Sequence, residues 1–445
     1  MRASKGLLAL VVSLLALTAA ARQPQPQQVA GSTSKADPFA PVFVVTSVAH
    51  AGHLAKSGKW LGRRVDSAGR ALVLVEYQEH EMRELSAAIH AKADRCGGFF
   101  AFATRAEAES FIRNDLTATV MAAGKLSPFN NPLNIDNAAT VAPVLSQVST
   151  DHMGNVLWTL STGFPNRHYA SAYGANAADW IRGHWSSLAG GRGDVSTELF
   201  SCATCGVQPS VILTIQGSQW PDEVVVLGAH LDSISQTYKA DGVTLNAPGA
   251  DDDASGIATL SEILRVAMAN GWRPKRTVKL MGYAAEEVGL RGSRAIAQSF
   301  AQQGRKVVGV LQLDMTNYKT GAIDMRLVTD YSSPVMQQYL VNLFDTYLAP
   351  LGHTRGTITC GYGCSDHAAW TASGFPSAMM FEPGAGTTAL NDSFGYIHTP
   401  NDTLGNMGGT LQPSVAFVRL GLAFLGELGD VQRSFDADVP RKPLP

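Results

Sequence analysis

The sequence is poor in charge, and the charges that it has nearly cancel. Charged residues make up 16% of the 445-residue chain, and 35 Lys and Arg against 37 Asp and Glu leave a formal net charge of -2 at pH 7. Domains that bind nucleic acid carry an excess of Lys and Arg, often as a stripe on one face. No such stripe occurs in this sequence, so we expect a small-molecule or protein substrate and no nucleic-acid partner.

The one marked apolar run near the start is too short to cross a membrane, because a membrane span needs about 20 consecutive apolar residues. The run covers residues 6–17, follows Arg2 and Lys5, and precedes Ala19-Ala20-Ala21. This order of positive, apolar and small residues is typical of a secretory signal. We predict a signal peptide over 1–21, a polar linker over 22–41, and a secreted or periplasmic protein that is not bound to a membrane.

Cysteine is scarce, with five residues in the chain. In an exported protein this number predicts disulfides with one thiol left over. Cys202 and Cys205 are close enough in sequence to pair locally, as are Cys360 and Cys364, which leaves Cys96. The alternative for Cys202 and Cys205 is half of a zinc ribbon, but no second Cys or His pair follows at ribbon spacing.

The hydrophobic pattern predicts a small α+β domain over 42–127. Its predicted elements are strands at 71–77 and 99–103 and helices at 79–95 and 105–113. A domain of this size between a signal peptide and a larger domain is often a propeptide, which assists folding or covers the active site until it is cleaved. A retained accessory domain is the alternative. The unpaired Cys96 favours removal, because a free thiol is reactive on a secreted surface.

A stretch rich in Pro and Asn at 128–134 separates this domain from a larger one predicted over 135–430, and a Pro-rich tail at 431–445 is expected to fray. Strand and helix patterns alternate through the larger domain. This alternation predicts the α/β class, with a doubly wound, mixed but mainly parallel sheet flanked by helices. Short apolar runs that indicate buried parallel strands lie at 224–227, 277–281 and 307–313.

Histidines and carboxylates follow these three runs directly: His230, Glu286, Glu287 and Asp314. The carboxyl ends of parallel strands meet at one edge of a sheet, so we expect these side chains to converge. Neutral imidazole and ionised carboxylate are what a divalent metal requires, and a second metal nearby requires a shared carboxylate. Asp252, in the triplet Asp251-Asp252-Asp253, and His398 complete a set that is large enough for two ions.

Each member of this set has an ordinary structural alternative. A lone His230-Leu-Asp232 is more often structural, and the aspartate triplet could be an acidic turn that caps the helix predicted at 257–269. The pair Glu286 and Glu287 is harder to explain in this way, because adjacent like charges at the edge of a core cost free energy unless a cation offsets them. One glutamate could bind a metal while the other acts as a general base.

Several phrases in this order resemble the secreted bacterial leucyl aminopeptidases of the co-catalytic di-zinc family, and the resemblance covers essentially the whole larger domain. The phrases are Gly228-Ala-His-Leu-Asp-Ser233, Pro248-Gly-Ala-Asp-Asp-Asp-Ala-Ser-Gly256, Ala284-Ala-Glu-Glu-Val-Gly-Leu-Arg-Gly-Ser293, Gln312-Leu-Asp-Met-Thr-Asn-Tyr318, Thr359-Cys-Gly-Tyr-Gly-Cys-Ser-Asp-His367 and Ile397-His-Thr.

The resemblance implies a zinc exopeptidase fold and two Zn²⁺ ions that activate a water, which removes the N-terminal residue from peptides with a free N-terminus. It also implies a role for each residue of the set, and a cis peptide between Asp252 and Asp253. The implied roles are one zinc held by His230 and Asp314, the other by Glu287 and His398, a bridge made by Asp252, a general base in Glu286, and a partner of His230 in Asp232.

The resemblance further implies a pocket for Leu or another large apolar first residue, with Tyr362 as a hydrogen-bond donor to the oxyanion. The matching pocket residues are Met315, Cys360, Cys364, Met379, Phe381 and Ile397. Ordinary core packing is the alternative for the methionines and Phe381. A maturation protease and a monomeric enzyme complete the expectation.

Three other enzymes of the same fold are alternatives, namely a carboxypeptidase, an aminoacylase and a glutaminyl cyclase. A non-catalytic binding ectodomain is the alternative from another class, but it would lack ligands or a base, and neither is missing from the sequence. Ser365-Asp366-His367 is not expected to form a serine triad, because adjacent residues cannot converge on one another. We expect packing or support of the site from them.

Overall fold

The first part of the chain is an α+β unit built on an antiparallel sheet. The computed structural model describes residues 37–48, 51, 57–66, 69–93, 98–114, 133–235, 246–383 and 393–433. Within the described residues, four strands pair in the order β2-β3-β1-β4, and helices and the 3₁₀ turn Glu79–Glu81 accompany them. The elements are β1 (Pro41–Ser47), β2 (Lys59–Val65), β3 (Ala71–Gln78), α1 (Met82–Ala93), β4 (Phe100–Phe102) and α2 (Arg105–Asn114).

The predicted elements of this unit are confirmed, with boundaries shifted by a few residues: the segment 79–95 begins with the 3₁₀ turn, and α1 starts at Met82. Two strands were not predicted. β1 is buried along nearly its whole length, so it shows no alternation of apolar and polar residues. β2 is a largely exposed edge strand with several charged residues and no apolar face. Neither pattern carries the period of two that indicates a half-buried strand.

The second part of the chain is built on an eight-stranded sheet with helices packed around it. Its helices are α3 (Ala138–Val141), α4 (Thr150–Thr162), α5 (Ala172–Ala189), α6 (Gly256–Ala269), α7 (Arg291–Gln302), α8 (Pro334–Leu343), α9 (His367–Ala372) and α10 (Ser414–Leu428). Its strands are β5 (Val195–Phe200), β6 (Ser210–Ile215), β7 (Trp220–His230), β8 (Trp272–Pro274), β9 (Arg276–Tyr283), β10 (Lys306–Leu313), β11 (Met325–Val328), β12 (Arg355–Ile358), β13 (Ser377–Phe381) and β14 (Val431–Arg433).

The large sheet has the order β12-β11-β13-β10-β7-β9-β6-β5, and β9, β7, β10 and β13 at its centre are mutually parallel. β5 and β6 are antiparallel, as is the pairing of β11 with β13. The predicted mixed, mainly parallel α/β sheet is therefore confirmed. The three predicted apolar runs lie in β7, β9 and β10, which are adjacent and point the same way, so the segments that follow them emerge at a common edge.

Helix α6 lies directly behind this edge and is buried along almost its whole length. It packs against β7 and against the helices α4, α5 and α10. At its start, Asp253 Oδ1 accepts a hydrogen bond of 2.8 Å from the Gly256 amide. The aspartate triplet is therefore joined rigidly to the core of the domain.

The end of the described chain is more ordered than predicted. Gln432 and Arg433 pair with Arg273 and Trp272 in an antiparallel ladder between β14 and β8. The expectation of a frayed tail is wrong for these two residues, because a short partner strand offers them backbone hydrogen bonds. Residues 434–445 lie outside the described ranges, as does the predicted signal peptide at 1–21. Among the helices within those ranges, none has the length and hydropathy for a membrane span.

Glu427 near the end of α10 joins the two ends of the larger domain. Its carboxylate accepts hydrogen bonds of 3.0 Å from the Asp136 amide and 2.9 Å from the Asn137 amide. The Tyr347 hydroxyl donates to the same carboxylate. The side chains of Glu427 and Tyr347 are buried, and the two bonds from the amides are partly buried.

We expect Glu427→Ala to lower the free energy of unfolding by about 3 kcal/mol, because it removes a charged acceptor from three hydrogen bonds, one of them from the buried Tyr347. Urea unfolding followed by circular dichroism measures the change. Asp179→Ala is the control: Asp179 pairs with Arg182 at 3.3 Å on the surface of α5, and removing an exposed pair should cost less than about 0.5 kcal/mol. Equal losses in the two variants would contradict the anchoring role of Glu427.

Candidate metal centre

The five side chains predicted as metal ligands come together in the structure. They form two groups, His230 with Asp252 and Asp314, and Asp252 with Glu287 and His398, and within each group one ligand atom per residue lies within 4.8 Å of the others. All five are buried, with exposed fractions of 4% or less. Asp252 belongs to both groups, so the arrangement is two adjoining sites with one carboxylate in common.

Each oxygen of the Asp252 carboxylate lies close to the imidazole of a different histidine. Oδ1 lies 2.8 Å from His230 Nε2, and Oδ2 lies 3.0 Å from His398 Nε2. Asp314 Oδ1 is 3.6 Å from His230 Nε2, and Glu287 Oε2 is 2.8 Å from His398 Nε2. A carboxylate oriented in this way can contact two cations at once, one through each oxygen.

Strand ends and tight turns place these residues. His230 is the last residue of β7, and Asp314 directly follows β10. Asp252 lies in the turn Ala250–Ser255, where the Asp252–Asp253 peptide is cis, as the resemblance implied. His398 has a φ of 56°. A non-glycine residue in this left-handed region is held there by its surroundings, and such residues are concentrated at functional sites.

Asp232 connects the end of β7 with the loop after β9. Its Oδ1 lies 3.4 Å from His230 Nδ1 and accepts a 3.0 Å hydrogen bond from the Glu286 amide, while its Oδ2 accepts one of 3.2 Å from the Glu287 amide. One carboxylate therefore orients an imidazole and also holds the backbone of both glutamates. The sequence indicated the first contact only.

Asp402 and Ser365 also support the ligands, and neither role was predicted specifically. Asp402 accepts hydrogen bonds from the amides of Asp251 at 2.8 Å and Asp252 at 3.2 Å. The Ser365 hydroxyl donates to Asp314 Oδ2 at 2.6 Å. Asp402 stands in the turn after His398, but an aspartate in a turn has too many ordinary explanations to be identified from sequence.

A second carboxylate pair lies beside the site. Asp251 and Glu382 are both fully buried, and burial raises the pKa of Asp251 to about 6 and that of Glu382 well above its usual range. Glu382 also accepts hydrogen bonds from the amides of Tyr318 at 3.2 Å and Phe394 at 2.8 Å. Glu382 therefore fixes the backbone on either side of the predicted pocket.

The site concentrates acidic side chains in a small buried volume. Burial, together with neighbouring carboxylates, raises the pKa of Glu286 well above its usual range and that of Glu287 to about 7. Burial acts against the charged form of His398, but Glu287 and Asp252 still raise its pKa to about 10. The field that stabilises a protonated imidazole also stabilises a metal cation placed between the carboxylates.

Several carboxylate oxygens are available to such cations. Within the part of the chain that the structure describes, Glu287 Oε1, Asp314 Oδ1 and both oxygens of Glu286 are buried and have no hydrogen-bond donor. Buried carboxylates without donors or cations are costly. The residues present therefore fit a pair of divalent metal ions, with Glu286 as an additional carboxylate.

The residues predicted for the substrate pocket are all buried in the apolar core of the larger domain: Met315, Cys360, Tyr362, Cys364, Met379, Phe381 and Ile397. Both predicted disulfides, Cys202–Cys205 and Cys360–Cys364, are formed. The same core extends through the whole domain, so burial alone does not separate a pocket from ordinary packing, and the pocket stays a prediction. Cys96 lies outside the described residues.

The N-terminal unit, residues 37–114, packs against the loops of the site. The Ser86 hydroxyl donates to the Glu287 carbonyl at 2.7 Å, and the Ala101 amide donates to the Gly289 carbonyl at 3.3 Å. Gly98, with a φ of +89°, lies so close to Tyr362 that a Cβ would stand 3.0 Å from the ring. Only glycine combines this conformation with this approach.

We compared the chain with models of protein families and with known proteins. Residues 210–418 match the model of peptidase family M28. The chain is similar to a probable leucine aminopeptidase of Arthroderma otae, with 33% identity over 320 residues that cover 71% of this chain and 84% of the relative. It is also similar to leucine aminopeptidase 1 of Phaeosphaeria nodorum, with 35% identity over 277 residues, 60% of this chain and 67% of the relative.

Solved structures agree with this result. The LapA aminopeptidase of Legionella pneumophila superposes with a TM-score of 0.74 and 26% identity, covering 88% of this chain and 99% of that chain. A glutaminyl cyclase of Porphyromonas gingivalis superposes with a TM-score of 0.51 and 17% identity, over 63% of this chain and 99% of that one. The second likeness shows a shared fold alone.

We expect Asp402→Asn to weaken metal binding about 10- to 100-fold, the usual effect of removing a residue that orients a ligand. The amide group would keep one acceptor and turn a donor toward the backbone amide of Asp251 or Asp252. Competition with a coloured zinc chelator measures the affinity.

Asp330→Asn is the matched control, because Asp330 accepts hydrogen bonds from two consecutive amides in the same way, Cys360 at 2.9 Å and Gly361 at 2.7 Å. Its loop carries no predicted metal ligand, so its metal affinity should stay within about threefold of the unmodified protein. A similar loss in both variants would show that Asp402 has no specific effect on the metal site.

Proposed function

The chain belongs to peptidase family M28, and on this basis we propose that it is a metalloaminopeptidase that releases an N-terminal Leu, or another large apolar residue, from peptides with a free N-terminus. The observation that carries the proposal is the shared position of Asp252, with one oxygen toward each imidazole. Glu286 lies beside this pair with both carboxylate oxygens free of donors.

We assign two zinc ions to the centre. His230 and Asp314 would hold one, Glu287 and His398 would hold the other, and Asp252 would lie between them. Bound zinc lowers the pKa of a water and polarises the scissile carbonyl. The donor set of imidazole and carboxylate, and the unpartnered oxygens of Glu287 and Asp314, support this assignment.

Glu286 is the proposed general base. Its burial among carboxylates raises its pKa, which makes it a better proton acceptor than an exposed glutamate. It takes the proton from the attacking water and returns that proton to the nitrogen of the departing amine. Asp232 keeps Glu286 in place through its backbone amide, at 3.0 Å, and keeps the imidazole of His230 oriented.

The remaining residues position the substrate. The α-amine would lie near the zinc held by His230 and Asp314, which would limit cleavage to the first residue. Met315, Met379, Phe381, Ile397 and the Cys360–Cys364 loop would receive the first side chain. Tyr362 would donate a hydrogen bond to the oxyanion of the tetrahedral intermediate.

The N-terminal unit is the proposed propeptide of a secreted, monomeric enzyme that a maturation protease activates. Two disulfides support an oxidising compartment. Contacts from Ser86 to the Glu287 carbonyl and from Gly98 to Tyr362 support a cover over the site. Cleavage in the stretch 115–134 would release this unit from the larger domain.

We expect Glu286→Gln to reduce kcat for Leu-p-nitroanilide about 100- to 10,000-fold, because the general base is lost. Its zinc content, measured by atomic absorption, should remain at the level of the unmodified protein. Glu287→Gln is the matched variant and should lose zinc, since Glu287 is a proposed ligand. If Glu286→Gln lost zinc and Glu287→Gln kept it, Glu286 would be the ligand and Glu287 the base, which is the reverse of the proposed roles.

Glutaminyl cyclases share the fold, so the same preparations are assayed for cyclisation of an N-terminal Gln. We expect release of Leu to exceed cyclisation by at least 100-fold in kcat/KM. A zinc-loaded protein that cyclises Gln and releases no Leu would contradict the aminopeptidase proposal.

We expect cutting the chain at a specific protease site engineered into 128–134 to raise kcat/KM for Leu-p-nitroanilide at least tenfold, because dissociation of the N-terminal unit exposes Tyr362. The control carries a scrambled site and receives the same protease. A cut protein from which the N-terminal unit has been removed, but whose activity is unchanged, would identify that unit as an accessory domain.

A further inference from the structure

Arg167 is a fully buried arginine behind the loops that carry the metal ligands, with an exposed fraction of 0%. It lies between α4 and α5. Burial of a guanidinium is costly unless its donors are satisfied and its charge is offset.

The Arg167 guanidinium donates to backbone carbonyls on three segments. Nε donates to the Leu231 carbonyl at 2.9 Å, and Leu231 stands between His230 and Asp232. One terminal nitrogen donates to Pro248 at 2.5 Å and the other to Gly249 at 2.8 Å, in the turn that leads to Asp252. A further bond of 3.0 Å reaches the Leu160 carbonyl in α4 and anchors the side chain.

The backbone of Arg167 extends this network. Its amide donates to Ser233 Oγ at 3.0 Å, and that hydroxyl donates to the Ala247 carbonyl at 2.8 Å. Its carbonyl accepts a 2.8 Å bond from Gln208 Nε2, while Gln208 Oε1 accepts one of 3.2 Å from the Ala285 amide. Arg167 is thus connected to the end of β7, the aspartate turn and the loop before Glu286.

The charge of Arg167 is offset in part, and at a distance: burial lowers its pKa, and nearby carboxylates act against this. The carboxylates that favour its charged form are Asp402, Asp253, Asp232 and Asp252, yet its hydrogen bonds go to carbonyls and not to these groups. Their oxygens therefore remain available to backbone amides and metal ions. A direct ion pair would compete for the same lone pairs.

We propose that Arg167 is a positioning residue for the metal centre, which cross-links the end of β7 to the aspartate turn and so holds His230 and Asp252 at bridging distance. The proposal rests on the two-metal centre of the proposed function. Geometry is the essential property: arginine presents five donors in a planar fork, whereas lysine concentrates three donors on one atom. Lysine would keep the charge but could not reach carbonyls on both segments.

The experiment compares Arg167→Lys with Arg276→Lys in the full chain. Arg276 is also buried, 1% exposed, and donates to Glu223 at 2.8 Å and to the Leu428 carbonyl at 2.7 Å. It is the first residue of β9, at the opposite end of that strand from Glu286. Both variants should lose similar stability in urea unfolding of the metal-free protein.

Zinc affinity, measured by chelator competition, should fall about 10- to 100-fold in Arg167→Lys and stay within about threefold in Arg276→Lys. The absorption spectrum of the cobalt-loaded protein at saturating Co²⁺ reports ligand geometry and should change only in Arg167→Lys. Unchanged affinity and spectrum in a folded Arg167→Lys would overturn the proposal. Equal losses of affinity in both variants would overturn it as well, because the effect would then be general destabilisation.

Ser233→Ala keeps the test available if Arg167→Lys does not fold. It removes only the hydroxyl that joins the Arg167 amide to Ala247, and we expect a loss of zinc affinity of about threefold to tenfold with the same change in the cobalt spectrum. Unchanged affinity and spectrum in this variant would overturn the proposal. An unmodified protein that binds two zinc ions but releases no Leu would contradict the proposed function and leave the role of Arg167 intact.

Discussion

The burial of many carboxylates at one edge of a parallel sheet is the constraint on which the rest of the structure depends. Asp252, Glu286, Glu287 and Asp314 are almost inaccessible to water. Their mutual repulsion and loss of hydration would destabilise the fold if nothing offset them. The topology creates this problem, because adjacent parallel strands deliver their following residues to the same place. The same concentration of negative charge makes the edge suitable for a pair of cations.

The carboxylates that surround these ligands are stabilised mainly by backbone amides. Asp232 accepts from two amides, Asp402 from two, and Asp253 from the amides of His230, Gly256 and Met315. Amides stabilise a carboxylate without adding a mobile charge, and they also fix the backbone that carries the ligands. The result is a centre in which few side chains can move independently, which favours preorganised binding of metal ions.

Much of the fold was predictable because the relevant signals are local. The runs at 224–227, 277–281 and 307–313 predicted the central strands, and the alternation of strands and helices predicted the α/β class. The unpredicted strands β1 and β2 lack a clean alternation, the first because it is almost wholly buried and the second because it is an exposed edge. The final strand β14 was missed because its partner, β8, is more than 150 residues away in the chain and leaves no trace in the local pattern.

The sequence by itself determined which residue types stand at the strand ends, in which order, and that they are suited to a pair of metal ions, since period and composition are properties of short segments. Only the tertiary structure decided which atoms meet. The two faces of Asp252, the contacts of Asp402 with the aspartate turn and the carbonyls bound by Arg167 all join segments that are distant in the chain. Such contacts depend on how helices and strands pack in three dimensions, and no spacing within the sequence encodes them.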